Sequence, residues 1–416
     1  MNFHFRLVAG FFFGLGLVWA FRPSWTAELP NRSVLQGDRH RPVYHFLPPA
    51  NWMNDPNGLI FWEGQYHLFY QYNPNGAFWG SMHWGHAASP DMLRWRDLPL
   101  ALAPTAGGPD KDGVFSGCAV THNGVPTLVF TGTNPEVQCL ASSRDGLLTW
   151  EKFKGNPVIS GPPPGLEVTG FRDPCVWKEG AEWLMALGSG IKNVGGAVLL
   201  YSSTDLAHWK YLHPLAQGEA SKTGTMWECP NFFPLGKKHC LVVSPIPFGK
   251  SIYFVGRYEN RKFIPEREGV VDAGGHYYAP QTFLNGTKQR IIFGWSWEGR
   301  SDKAQRASGW AGVQSLPRVL TLGPSGDLET RPIPELSALR EKELPIKLPA
   351  TVAEGEIPLE GISGDAGVRC WTPAGVVGSG AGHPIGGLSH HPGLDCVSAT
   401  PPRPRRGTQV PRLPKS

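Results

Sequence analysis

Three short stretches hold carboxylates in settings suited to chemistry on a sugar. In Asn51-Trp52-Met53-Asn54-Asp55-Pro56-Asn57-Gly58, Pro56 restrains the backbone at Asp55 and Asn57-Gly58 tolerates positive φ, so the stretch reads as a tight turn. Trp52 and Met53 offer a flat apolar wall, and Asn54 offers amide hydrogen bonds. A rigid carboxylate beside an aromatic surface fits a sugar ring, which has an apolar C–H face and a hydroxyl rim. The second stretch is Phe171-Arg172-Asp173-Pro174, where Arg172 is expected to keep Asp173 ionised, as suits a group that binds hydroxyls. The third is Met226-Trp227-Glu228-Cys229-Pro230-Asn231. There an apolar ring and a thiol flank Glu228, a setting that favours a general acid working near neutral pH. Cys229 follows Glu228 directly, so on a regular strand its side chain projects to the opposite face. Taken singly, the three are an ordinary Asx-Pro turn, a surface Arg-Asp pair and a strand end.

These groups need a scaffold, and a repeat supplies one. Ser89-Pro90-Asp91-Met92-Leu93-Arg94-Trp95, Ser143-Arg144-Asp145-Gly146-Leu147-Leu148-Thr149-Trp150 and Ser203-Thr204-Asp205-Leu206-Ala207-His208-Trp209 share a pattern, their Trp residues 55 and 59 apart. Each follows a strand-like run (83–88, 137–142 and 197–202). Further strand-like runs cover 59–62, 66–72, 128–131, 240–244 and 290–295. Units of this length suit the four-stranded blades of a β-propeller. Roughly 295 residues at about 55–60 per blade give five blades. Before a short helix expected near 335–340 no long amphipathic helix appears, and sixteen Trp among 52 Gly and 40 Pro suit short strands with many turns.

The 416 residues carry a formal net charge of +5. Six basic residues against two acidic ones fall after position 360, so the rest is near neutral and has no electrostatic footprint for nucleic acid. Arg6 followed by the apolar run 7–20 reads as an export signal cleaved after Ala20, with an uncleaved anchor as the alternative, and no later segment is apolar enough to cross a membrane. From Gly361 to Ser416 the chain holds 11 Gly and 8 Pro and a single aromatic, Trp371. It is expected to be a disordered tail, and its abrupt onset is also what a frame error would produce. Seven Cys form no C-x-x-C pair, and His83 and His86 lack cysteine partners at zinc spacing, so no metal or cofactor is expected. Cys118, Cys139, Cys175 and Cys240 read as buried small hydrophobes.

Taken together and in this order, the three acidic stretches resemble glycoside hydrolase family 32, the invertases, levanases and inulinases. The resemblance runs from about Arg41 to Arg340. Further agreement lies in Phe69-Tyr70-Gln71-Tyr72-Asn73-Pro74, Phe115-Ser116-Gly117, the stretch 309–318 (GWAGVQSLPR) and the stretch 272–279 (DAGGHYYA), where His276 replaces an acidic or amide residue. The resemblance implies an all-β fold, a five-bladed propeller over 41–340 with a remnant linker over 341–360, and the family's C-terminal β-sandwich missing or truncated. It implies Asp55 as nucleophile, Glu228 as acid/base and Asp173 as the group that binds fructose hydroxyls. Trp52, Asn54, Gln71, Trp79, Phe115, Ser116, Arg172 and Asp272 match substrate-binding positions. The expected activity is retaining release of fructose from sucrose or other β-fructofuranosides by a secreted or periplasmic protein. A fructosyltransferase is disfavoured by intact Trp52 and Asn54, and an arabinan-cleaving propeller by the N-D-P-N-G and W-E-C-P strings. A catalytically impaired fructan-binding protein remains the alternative outside enzymes, and product analysis on sucrose, inulin and arabinan separates the four.

Overall fold

Runs of aromatic and β-branched residues, punctuated by Gly-, Pro- and Asn-rich turns, build an almost purely β structure. The computed structural model describes residues 29–38 and 40–340. The export signal, the remnant linker and the Gly- and Pro-rich tail all lie outside the described residues.

The strands pair as consecutive antiparallel four-stranded units. The first is β1 (Asn51–Trp62), β2 (Gln65–Asn73), β3 (His83–Ser89) and β4 (Arg96–Leu102). The second is β5 (Val114–His122), β6 (Val125–Gly132), β7 (Val137–Ser142) and β8 (Glu151–Lys152). The third is β9 (Val168–Glu179), β10 (Glu182–Ile191), β11 (Gly195–Ser203) and β12 (Lys210–Gln217). The fourth is β13 (Met226–Leu235), β14 (Lys238–Ile246), β15 (Ile252–Glu259) and β16 (Lys262–Val270). A single pair, Ser189 with Trp227, joins the third and fourth units into one sheet. After β17 (Tyr278–Leu284) and β18 (Arg290–Ser296) come two short strands, β19 (Trp310–Ala311) and β20 (Val313–Gln314). The last unit is then completed by β21 (Arg318–Leu322) and β22 (Leu328–Pro332). The first strands β1, β5, β9, β13 and β17 lie side by side in cyclic order, with β17 back against β1. Parallel pairing of β19 with β1, Asn51 to Trp310 and Trp52 to Ala311, ties the end of the ring to its beginning.

Apolar layers fill the gap between each unit and the next. On β2, Leu68 and Tyr70 face the layer shared with the last unit, and Phe69 faces the layer shared with the second. Leu128 and Phe130 pack toward the first unit and Val129 toward the third. The same division holds for Leu184 against Met185, Leu241 against Val242, and Ile291 against Ile292. Both faces of these middle strands are buried, which explains why they read as unbroken apolar runs rather than alternating ones. Each fully buried side chain of this size contributes roughly 1.5–3 kcal/mol. The arrangement fits a β-propeller.

Side chains seal the ring at its axis by accepting amides of the next first strand. Asn57 Oδ1 accepts Gly117 N–H at 3.4 Å, and the Cys118 thiol accepts Val176 N–H at 3.2 Å. The Cys175 thiol meets the Phe232 amide, Asn231 Oδ1 accepts Thr282 N–H at 2.8 Å, and Gln281 Oε1 accepts Leu59 N–H at 3.1 Å. Cys118 and Cys175 pack at the edges of the apolar layers, as their reading as small hydrophobes expects, and their thiols also accept these amides. Cys139 and Cys240 do sit in apolar layers, and all five described cysteines are free.

The S-x-D…W repeats form the connections from third to fourth strand in the first three units. Ser89, Ser143 and Ser203 hydroxyls donate to Asp91, Asp145 and Asp205 at 3.0, 3.0 and 3.1 Å. Each Asp in turn accepts backbone amides further along the turn. This local network holds Met92, Leu147 and Leu206 buried at φ of 62°, 66° and 66°, costly for bulky side chains. The short helix expected near 335–340 is a 3-10 helix at Pro334–Leu339.

Candidate active site

All three carboxylates stand on first strands, at the places where those strands break register. The 51–58 stretch is not a tight turn. It lies within β1, whose pairing with β2 shifts between Met53 and Pro56 and again between Asn57 and Ile60. Pro56 has no amide to give the ladder and Gly58 sits at φ +54°, so the turn-type residues make bulges inside a strand. Comparable breaks fall at Phe115–Gly117 in β5, opposite Arg172–Cys175 in β9, at Glu228–Asn231 in β13 and at Tyr278–Gln281 in β17. A proline follows the irregular residue in four of the five: Asp55-Pro56, Asp173-Pro174, Cys229-Pro230 and Ala279-Pro280. Asp173, Cys229 and Ala279 take φ of 66°, 48° and 47°, strained values that the surrounding sheets impose. The ring thus turns these side chains onto one cluster.

Asp55 is held at both oxygens. Ser116 Oγ donates to Oδ2 at 2.6 Å, and Asn54 Nδ2 donates to Oδ1 at 3.0 Å. Behind them, Gln71 Nε2 donates to Ser116 Oγ at 2.6 Å and Trp52 Nε1 to Asn54 Oδ1 at 2.8 Å. Burial pushes the Asp55 carboxyl up to about 6; the Ser116 bond opposes this, and the Glu228 charge adds to it. Asp173 is buried, with Oδ2 accepting the Cys229 amide at 2.9 Å. Burial raises its carboxyl strongly, Arg172 offsets part of this, and the Glu228 and Asp55 charges push it further up. The Cys229 thiol lies 3.5 Å from both Asp55 Oδ2 and Asp173 Oδ2. Burial and then the three carboxylates push that thiol well above its ordinary range, so it stays protonated and donates.

Glu228 is gripped from two sides. Arg172 gives Nε at 3.0 Å and Nη2 at 2.8 Å to Oε1, while the Tyr278 hydroxyl gives 2.7 Å to Oε2. Arg172 is itself anchored by Glu136, whose Oε1 accepts Nη1 at 2.7 Å and whose Oε2 accepts the Phe171 amide at 2.6 Å. Burial works against the Arg172 charge, but Glu228, Asp173 and Glu136 outweigh it and hold the guanidinium protonated.

Several expectations need correction. Arg172 grips Glu228 and Glu136 rather than its neighbour Asp173, whose carboxyl is raised instead of kept low. Trp227 does not wall Glu228, because its ring lies in the layer between the third and fourth units. Cys229 faces the carboxylates, not the opposite side, since the bulge and its positive φ break the two-residue alternation. Asp272, a motif position expected to bind substrate, accepts Arg318 Nη1 at 2.6 Å and the Gly274 amide at 2.8 Å. Trp52, Asn54, Gln71, Ser116 and Arg172 are joined by hydrogen bonds to Asp55 or Glu228, and exposed Trp79 stands edge-on to Phe115 at 6.2 Å. His276 packs edge-on against Trp297. Tyr278 and Glu136 were missed. Tyr278 lies inside the 272–279 motif, whereas nothing around Glu136 marks it in the sequence.

Residues 45–332 match the family described as glycosyl hydrolases family 32 N-terminal domain. The chain belongs to glycosyl hydrolase family 32. Among family 32 relatives, it is 39% identical to a sucrose-6-phosphate hydrolase of Escherichia coli over 348 residues, covering 76% of this chain and 69% of that protein. It is also 39% identical to an Escherichia coli raffinose invertase, covering 77% of this chain and 70% of that one. Among family 32 structures, fructan 1-exohydrolase IIa from Cichorium intybus superposes with a TM-score of 0.66 at 34% identity, covering 73% of this chain and 62% of that one. A Bombyx mori β-fructofuranosidase mutant in complex with sucrose gives 0.66 at 36%, covering 74% and 68%. The chain thus spans about two thirds of the length of these family 32 members.

Proposed function

We propose that the protein is a retaining β-fructofuranosidase on a five-bladed propeller, releasing fructose from sucrose or other terminal β-fructofuranosides. The observation that carries this is the convergence of Asp55, Asp173 and Glu228 on one cluster, with the Cys229 thiol bridging the first two and Arg172 and Tyr278 holding the third. In the first step an Asp55 oxygen bonds to the anomeric carbon of the fructosyl unit. The bond to the leaving oxygen breaks as Glu228 passes it a proton. In the second, Glu228 takes a proton from water, the water oxygen bonds to the same carbon, and Asp55 leaves. Ser116 and Asn54 fix the attacking carboxylate, so little geometry has to be found on binding. Asp173 is suited to hold fructose hydroxyls and to stabilise positive charge developing on the ring. Trp52, Trp79 and Phe115 offer apolar surface around them. The names of the relatives, which include sucrose-6-phosphate hydrolase, invertase and fructan exohydrolase, support this substrate class. The basic-then-apolar leader supports export.

The test is product analysis. Purified protein incubated with sucrose should release equal amounts of fructose and glucose, and Asp55→Asn should abolish release. Transfer products in place of free fructose, or no reaction on sucrose and inulin alike, would overturn the proposal.

A further inference from the structure

We propose that Trp297, with Phe248 on the turn that approaches it, forms the platform that takes the apolar face of the leaving-group sugar, making the pair specificity-determining; this rests on the fructofuranosidase reading above. The argument starts at the acid. Tyr278 donates its hydroxyl to Glu228 Oε2, so its ring begins at the carboxyl that must protonate the leaving oxygen. Trp297 lies nearly parallel to that ring, at 11° with centroids 6.0 Å apart. Trp295 stands edge-on to Trp297 at 5.7 Å and edge-on to Trp52 at 5.9 Å. Trp52 in turn bonds Asn54, which bonds Asp55. One aromatic arc therefore runs from the nucleophile to the acid, and Trp297 occupies its acid end.

The Trp297 ring is fixed before any sugar arrives. Its Nε1 donates to Gly275 O at 3.0 Å, and His276 packs against it edge-on at 6.2 Å. The β14–β15 turn approaches so closely that a Cβ on Gly249 would stand 3.0 Å from the ring. The adjacent Phe248 is 46% exposed, so its ring is open to a ligand. Neither ring takes part in the hydrogen bonds that hold the carboxylates. The sugar to be released is bonded through the oxygen that Glu228 protonates, and Tyr278 and Trp297 are the aromatic surface joined to that acid. A pyranose presents a C–H face that a rigid indole can cover at low entropic cost.

The test compares sucrose with methyl β-D-fructofuranoside, which lacks the leaving-group ring. Trp297→Ala should raise KM for sucrose roughly tenfold with kcat little changed, the size of one lost aromatic contact. Its kcat/KM on the methyl glycoside should stay within about twofold of wild type, which also reports that the variant is folded. Phe248→Ala, at an exposed position, should move KM for sucrose in the same direction by about two- to threefold. Equal losses on both substrates, or no change on either, would overturn the platform while leaving the glycosidase reading intact. A wild-type protein that cleaves neither substrate would overturn that reading and the platform with it.

Discussion

Replacing Asp55 by Asn should destroy activity and stabilise the fold, and the stabilisation should depend on pH. The Asp55 carboxyl is raised from 3.8 to about 6, chiefly by burial. An acid whose folded value is raised is protonated in both states below its unfolded value, so it costs nothing at pH 3–4. As pH rises from about 4 to about 6 the unfolded chain gives up its proton first, and stability falls across that window. A shift of about two units corresponds to roughly 3 kcal/mol above pH 6. An amide still accepts from Ser116 but more weakly than a carboxylate, so the net gain should be about 1–2 kcal/mol. Urea titrations of wild type and Asp55→Asn at pH 7.5 and pH 4.0 measure it. The variant should unfold at higher urea at pH 7.5, with the difference closing at pH 4.0. Equal differences at both pH values, or a destabilised variant at pH 7.5, would refute the reasoning.

Three further outcomes follow from named contacts. Ser116→Ala removes the hydroxyl that opposes the rise at Asp55, so the acid limb of the kcat/KM profile should move to higher pH by about half a unit to one unit. Glu136→Ala frees Arg172 Nη1 and the Phe171 amide, so kcat on sucrose should fall about ten- to a hundredfold while a substrate with a good leaving group is largely spared. Phe130→Ala empties part of the layer between the first two units and should cost about 3–5 kcal/mol in urea unfolding without altering KM.

The strands were legible because both faces of the middle strands are buried, which leaves unbroken apolar stretches such as 68–70 and 240–243 within them. The S-x-D…W repeats marked the third-to-fourth strand turns because one Ser–Asp network recurs at each. The three acids were legible as motifs, and Pro56 signalled special backbone at Asp55, as the Pro after Asp173 and Cys229 could also have done. What those prolines signal is a bulged strand, and bulges defeat the two-residue rule that placed Cys229 away from the site. The Arg172 partnership was hidden because its carboxylates, Glu136 and Glu228, arrive from units 36 and 56 residues away in the chain. Asp272 matches a motif position, but its partner Arg318, 46 residues further on, leaves no local mark in the sequence.

The division of labour between Asp55 and Glu228 is tested most directly by trapping. Glu228→Gln should still accept fructose from a substrate with a good leaving group but should hydrolyse the product slowly. Mass spectrometry of its peptides should then find one fructosyl unit bonded to Asp55, released when azide replaces the activated water. An adduct on Asp173 or any other residue, or no adduct together with an inverted product, would contradict the assignment.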